Sequence, residues 1–580
     1  MNRRLALVLA VAALWMLAVA GRLAALAVVD HERYLARAAS QQQRRIELPP
    51  SRGTIFDARG RALAVSVEVE SAWADPAEVA DPEAVAAALA GALGLDRDKL
   101  AAELSGPGRF VWLARRLDPP DAERVRALGL PGVRFQHETK RYYPNRALAA
   151  PVLGFVGTDS VGLAGVEQQY DGGITGRAGR QTVLADARRR RAVTPHLAFT
   201  APEPGRDLVL TLDVAIQHVV ERELARAVAE SGAKGGTAVV LDPWSGAVLA
   251  MAAVPGFDPN RFAGYPAERL GNPVVQEVYE PGSTFKMVTA SAALAANLID
   301  PHDVIDCELG GIRLGSVLIR DHKRFGYLSF RDVIARSSNV GAIKAGLRVG
   351  RDRLHAQAAA FGFGSATGID LPGEAAGMLH PPEAWRPNSV AYVAFGHEVT
   401  VTPLQLANAF AAVANGGTLF RPFVALERRS PDGSAERRGA PEVLGRPLAP
   451  TTAREIERLL EAVVADGTGK AAAVPGYTVA GKTGTAQKVV DRRYAPGRYI
   501  ASFAGFVPAR QPALVAAVVI DEPRPPLYHG GQVAAPAFAA MAEPILLYLG
   551  VPPDRAEPER WPGEADGVRL ALVPSEELAG

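Results

Sequence analysis

The sequence predicts an α+β fold, an antiparallel sheet flanked by helices, on a chain that opens with one membrane-spanning helix. Three observations predict it. Residues 5–20 form an uninterrupted apolar run that resumes at residues 23–29. Two pairs of β-prone segments, 237–241 with 247–252 and 499–507 with 514–520, are each joined by a turn signal, Asp242 to Gly246 and Pro508 to Pro512. Helical periodicities lie between these hairpins, which is the order of an α+β domain rather than of alternating βαβ units.

Composition narrows the function classes. The 580 residues allow several domains, and 48% hydrophobic with 22% charged residues is ordinary globular usage. Lys+Arg 64 against Asp+Glu 62 leaves +2, which supplies no electrostatic footprint for nucleic acid. The lone Cys307 excludes an internal disulfide and any cysteine-rich metal site, and ten scattered histidines show no His-Glu-x-x-His pattern. Neither a metal nor a cofactor is expected.

The elements follow in order. Residues 1–4 are a short basic cytoplasmic tail and 5–29 a transmembrane anchor, since about 20 apolar residues cross a bilayer. Arg22 lies near the far end, where its side chain can snorkel to the interface. Ala18-Val19-Ala20 also fits a signal-peptide cleavage site, and either reading sends the rest of the chain across the membrane. A buried helix of a soluble protein is the third reading. Arg3 and Arg4 before the segment and Arg33, Arg37, Arg44 and Arg45 after it leave the positive-inside rule undecided.

Residues 31–45 read as a helical stalk ended by Pro49-Pro50, 51–60 as a strand and turn, and 76–130 as helical. The run Arg188 to Arg191 reads either as a solvated loop or as a lipid, nucleic-acid or partner patch. A second domain begins near Gly205. Asp213 caps a helix with Ile216, Val220, Leu224 and Val228 on one face. Residues 535–549 form a closing helix, and 554–580 are Pro-rich and acidic, a surface tail. The predicted domains are therefore 1–4, 5–29, 30–204, 205–550 and 551–580.

Three short patterns carry chemistry. In Glu280-Pro281-Gly282-Ser283-Thr284-Phe285-Lys286, Ser283 and Lys286 stand three apart, on one face of a helix. Such a lysine serves as a base only if burial or a second cation depresses its proton affinity. Ser337-Ser338-Asn339 interrupts an apolar stretch, which a helix cap or an inward-facing site would explain. In Ala480-Gly481-Lys482-Thr483-Gly484-Thr485, Lys482 and Thr483 suit a carboxylate, and Gly484 admits a substrate backbone alongside an edge strand. Residues 476–483 also match the phosphate-loop pattern, but 477–480 read as a strand and Gly484-Thr485 is a poor helix start.

Each pattern alone is weak. Together, in this order and separated by 54 and 145 residues, they form the serine penicillin-recognising set. The chain resembles a class B penicillin-binding protein, a monofunctional peptidoglycan transpeptidase. Arg52-Gly53-Thr54-Ile55-Phe56-Asp57 is similar to that family's membrane-proximal motif, and 165–171 to its second pedestal motif. Residues 395–397 and 401–407 resemble its helix between the catalytic motifs, and 528–536 its closing segment. Residues 44–49 look most like the septal, division-specific branch, with the elongation branch as the close relative.

The resemblance implies a transpeptidase domain on an elongated pedestal. It implies Ser283 as nucleophile, Lys286 as base, Ser337 as proton relay, and Asn339 and Lys482 as supports. Thr483 with Lys482 would hold the substrate carboxylate, and the N–H groups of Ser283 and Thr485 would form the oxyanion hole. Implied ligands are stem peptides ending in D-Ala-D-Ala, and β-lactams. Implied partners are a polytopic membrane glycan polymerase of the FtsW type and other division membrane proteins. Ser338 stands where lactamases have Asp, which favours this branch, and no deacylating Glu-x-x-x-Asn follows it. A β-lactamase or carboxypeptidase, and a non-enzymatic β-lactam sensor or scaffold, stay open as other classes.

Overall fold

The computed structural model describes residues 3–185, 191–192, 198–490 and 493–555. The arginines 188–190 and the tail beyond 555 lie outside the described residues. The chain divides into two compact units, each built from three segments. The first comprises Met1–Gly53, Ser66–Lys140 and Gly172–Arg206; the second comprises Thr54–Val65, Arg141–Asp171 and Asp207–Gly580.

The first unit opens with the apolar helix Arg3–Ala24, continued by a wider turn at Ala25–Val29. This span buries none of its residues in protein, as a lipid-facing helix requires. Arg22 sits 4.0 Å from Asp30 at its far end. The stalk helix is shorter than the sequence predicts. It ends at Gln42, and Gln43–Leu48 is a strand paired antiparallel with Gly179–Ala185. Long-range pairing overrides local helix compatibility here. The segment 76–130 is also not helical throughout. Helices Pro82–Leu93, Arg97–Leu104 and Pro119–Ala127 surround the strand Val111–Leu117. Gly106-Pro107-Gly108 breaks the helical pattern, and Val111-Trp112-Leu113 suits a pleated surface. Leu89, Leu100, Leu104, Leu113 and Val125 fill the core between helices and strand.

In the second unit, Asp213 caps the helix Val214–Glu230 (α1) by accepting from the Ala215 N–H at 2.8 Å. Asp57, fully buried, accepts from the N–H groups of Arg59, Arg61 and Val214. The membrane-proximal motif thus fixes the start of α1. Strands Gly235–Leu241 (β1) and Val248–Val254 (β2) form the first hairpin. Helices Lys286–Ala295 (α2), Asn339–Val349 (α3) and Pro403–Ala414 (α4) follow. Strands Ala480–Val490 (β3), Arg493–Val507 (β4) and Leu514–Asp521 (β5) complete an antiparallel sheet in the order β2-β1-β5-β4-β3.

Alternation along the strands gives the sheet two buried faces. Ala238, Val240, Ala501, Phe503, Ala516 and Val518 meet α1 and the closing helix Gly530–Leu549 (α5) in one core. Helix α4, with all twelve residues buried, covers strands β1, β4 and β5. Strand β3 is the edge, and its outer side carries the Lys-Thr-Gly pattern.

Candidate active site

Ser283 stands in the single 3₁₀ turn Gly282–Phe285, and α2 begins at Lys286. Gly282 enters this turn in the left-handed region, at φ +54°. The turn aims Ser283 at the N-terminal end of a helix, where developing negative charge is favoured. Ser283 is half-buried, and no hydrogen bond holds its hydroxyl among the described residues.

Lys286 has no exposed surface. Its Nζ donates to the Ser337 carbonyl at 2.7 Å, to Asn339 Oδ1 at 2.8 Å and to Ser337 Oγ at 3.2 Å. Lys482 is equally buried, and its Nζ donates to the same Ser337 Oγ at 3.0 Å and to the Thr483 carbonyl at 3.2 Å. Neither ammonium forms an ion pair among the described residues. Burial therefore acts almost unopposed, and it lowers Lys286 to about 7, with the charge of Asp321 pulling the other way. Burial, and then the charge of Lys286, holds Lys482 well below the usual lysine range.

Both explanations of Ser337-Ser338-Asn339 hold, residue by residue. Ser338 is the N-cap of α3, accepting from the Gly341 N–H at 3.0 Å. Ser337 and Asn339 face the lysines. Ser337 takes a left-handed backbone, φ +61°, at the corner between helix Phe330–Ala335 and α3. Such strain on a residue other than glycine persists only where its surroundings fix it.

Asp321 supplies that fixing, and sequence reasoning missed it. Its carboxylate accepts from the Ser338 hydroxyl at 2.8 Å, from the Val340 N–H at 3.1 Å and from the Asn339 N–H. Asp321 lies 16 residues before Ser337 in an ordinary charged run, Arg320 to Arg324, and no spacing rule marks it. Thr468 was missed too; its hydroxyl lies 2.7 Å from that of Thr483.

The edge strand is locked to the serine turn by glycines. A Cβ on Gly484 would lie 2.4 Å from Ser502 Oγ and 2.8 Å from the Pro281 carbonyl. Close packing is thus a second reason for Gly484, beside substrate approach. Gly530, the first residue of α5, donates its N–H to Thr485 Oγ1 at 3.0 Å. The phosphate-loop match dissolves in this geometry. Gly481, Lys482 and Thr483 lie inside a strand, and Lys482 is turned into the core of the site. Of residues 477–480, which the pattern predicts as strand, only Ala480 is one.

A serine on a helix-entry turn, beside a buried lysine stripped of counter-charge and an open strand edge, defines a serine acyltransferase that takes an extended peptide. Residues 236–543 match the model of the penicillin binding protein transpeptidase domain, and 47–210 that of the penicillin-binding protein dimerisation domain. The chain is 36% identical to the peptidoglycan D,D-transpeptidase FtsI of Escherichia coli K12, over 92% of this chain and 90% of that one. It is 34% identical to the stage V sporulation protein D of Bacillus subtilis, over 96% and 88%. A crystal structure of penicillin binding protein 3 from Mycobacterium tuberculosis, complexed with aztreonam, is 29% identical, with a TM-score of 0.69 over 88% of this chain and 98% of that one. The chain belongs to the class B penicillin-binding proteins and is a serine-type peptidoglycan D,D-transpeptidase.

Proposed function

We propose that this transpeptidase cross-links stem peptides in septal wall synthesis, through an acyl-enzyme on Ser283. The observation that carries the mechanism is Lys286: fully buried, hydrogen-bonded without a counter-ion, and lowered to about 7. A neutral amine at that pH can accept the serine proton. Ser283 Oγ attacks the carbonyl of the penultimate D-alanine, and its proton passes to Lys286 Nζ. Backbone N–H groups of Ser283 and Thr485 hold the oxyanion. The bond between the two D-alanines breaks, and Lys286 returns the proton through the Ser337 hydroxyl to the departing amine. Ser337 Oγ lies 3.2 Å from Lys286 Nζ and 3.0 Å from Lys482 Nζ, which suits a relay. Lys482 and Thr483 bind the terminal carboxylate. A second stem's amine then attacks the ester, and its proton returns to Ser283 by way of Lys286.

The septal assignment rests on residues 44–49 and on similarity to a relative named FtsI. It places the catalytic unit on the outer face of the cytoplasmic membrane, anchored by residues 5–29. It implies as partners a polytopic membrane glycan polymerase of the FtsW type and other division membrane proteins.

The test is labelling with a fluorescent penicillin, followed over time in wild type and Ser283→Ala. A stable covalent band that vanishes in a folded Ser283→Ala protein is expected. A band that decays would indicate a lactamase, and no band in folded wild type would leave only the sensor or scaffold. Depletion of the protein then separates the branches: filaments without septa are expected, and rounded cells that still divide would assign it to elongation.

A further inference from the structure

The oxyanion hole proposed for this site draws one N–H from the turn of Ser283 and the other from β3. Gly484, packed on the Pro281 carbonyl, sets one point of contact between turn and strand, and side chains around the turn can set the rest. Glu280 stands where that can be done. Its Oε1 accepts from the Glu398 N–H at 3.0 Å and from the Tyr494 hydroxyl at 3.3 Å. Its Oε2 is closed off from solvent and accepts no hydrogen bond among the described residues.

Each partner leads to one wall of the site. Tyr494 is on β4, opposite Val489 of β3, so it rides on the ladder that carries Lys482 to Thr485. Glu398 ends the loop under the serine turn and takes a left-handed backbone, φ +56°. In that loop the Gly396 carbonyl accepts from the Gly282 N–H at 3.0 Å, and a Cβ on Gly396 would lie 2.0 Å from the Gly282 carbonyl. His397 fills the gap, its ring 4.6 Å from Phe395 and 5.8 Å from Tyr494. Glu280, two residues before the serine turn, thus bonds to the loop beneath that turn and to the edge ladder beside it.

We infer that Glu280 is a positioning residue for acylation, whose carboxylate fixes the spacing between the Ser283 turn and the Thr485 strand. The inference rests on the acyl-enzyme reading above. It concerns a side chain three residues before the nucleophile, outside the Ser-x-x-Lys set itself.

The charged and titratable groups facing Glu280 are Glu398 and His397 from the loop and Tyr494 from the ladder. Burial pushes the Glu280 carboxyl up, and the charge of Glu398 adds to it. Burial depresses His397 to about 4, so it stays neutral while Glu280 titrates. A protonated Glu280 is a poorer acceptor for both partners. Two protons then oppose acylation as pH falls. Lys286 takes one below about 7, and Glu280 takes the other at a pH that burial raises above the usual carboxylate range.

The experiment measures the second-order rate constant for acylation by fluorescent penicillin, from about pH 4.5 to 8. It uses the full chain as wild type, Glu280→Gln, Glu280→Ala, Tyr494→Phe and Ser283→Ala, with thermal melts to confirm folding. In wild type the logarithm of the rate is expected to fall with slope one where Lys286 alone takes a proton and more steeply where Glu280 does so as well. Glu280→Gln is the neutral counterpart of the protonated carboxyl, so it should lose about tenfold at neutral pH and keep slope one throughout. Glu280→Ala should lose about thirtyfold in the limiting acylation rate with unchanged initial binding, and Tyr494→Phe about threefold.

Wild-type rates in Glu280→Ala, or steepening that survives in Glu280→Gln, would overturn the inference. If Glu280→Ala does not fold, the Glu280→Gln slope and Tyr494→Phe decide it. Labelling of Ser283→Ala would instead sink the acyl-enzyme reading itself, so the two failures are distinguishable.

Discussion

The first unit and the catalytic site handle positive charge in opposite ways. In the first unit, Arg97 meets Glu83 at 3.0 Å, Arg126 meets Glu70 at 2.5 Å and Lys140 meets Asp118 at 2.5 Å, with at least one partner of each pair on the surface. In the site, Lys286 and Lys482 are wholly buried, share one serine hydroxyl and make no ion pair among the described residues. A carboxylate partner keeps a cation charged and chemically idle. Burial without such a partner removes the proton and yields a base. The same residue type is structural in one place and reactive in the other, and the difference is solvent and counter-charge rather than sequence.

Substitutions can break that contrast. The largest effect is expected at Lys286→Ala. Acylation by penicillin should fall by about a thousandfold or more while the protein stays folded, because a positioned base supplies that order of rate. Stopped-flow or gel-based labelling reads it directly.

Gly484→Ala should rank next. Its Cβ would press on Ser502 and on the Pro281 carbonyl. Forcing strand and serine turn apart should slow acylation by about ten- to a hundredfold, since small misplacements at a reacting centre are that costly.

Asp321→Ala sharpens the comparison, because Asp321 is the nearby carboxylate that supports the site without pairing with its lysines. It should lower stability by about 1 to 3 kcal/mol, read by denaturant melts, as the Ser338 hydroxyl and the N–H groups of Asn339 and Val340 lose their acceptor. Acylation should slow as the strained Ser337 corner loosens. The smallest effect belongs to the exposed pair of the first unit. Arg97→Ala should change stability by less than about 1 kcal/mol and leave labelling unchanged.

The elements legible in the sequence were those fixed by local pattern. Both hairpins, the Asp213 cap and the Ile216–Val220–Leu224 face follow from period and capping alone, and the structure has them. Misread segments were those decided by distant pairing. Residues 43–45 look helical until Gly179–Ala185 pairs with them. The strand Val111–Leu117 is hidden among helical neighbours until Glu70 to Ala74 lie beside it.

The site divides the same way. Ser283, Lys286, Ser337, Asn339 and Lys482 were legible because three weak patterns in fixed order reinforce one another. Asp321, Thr468 and Glu280's partners were not, because a residue that acts through a hydrogen bond to another carries no spacing of its own. Nor could the sequence show that both lysines are stripped of counter-ions. That fact exists only once three distant segments meet.

The central claim is that burial makes Lys286 a neutral base near physiological pH. The most direct test is the pH dependence of penicillin acylation of the wild-type chain. Lys286 is lowered to about 7, so it is protonated below that value and free above it. The rate should rise roughly tenfold per pH unit just below 7 and level off above it, as expected for one titrating base. A rate that is flat across this range, or that keeps climbing toward the ordinary lysine value of about 10.4, would contradict the account.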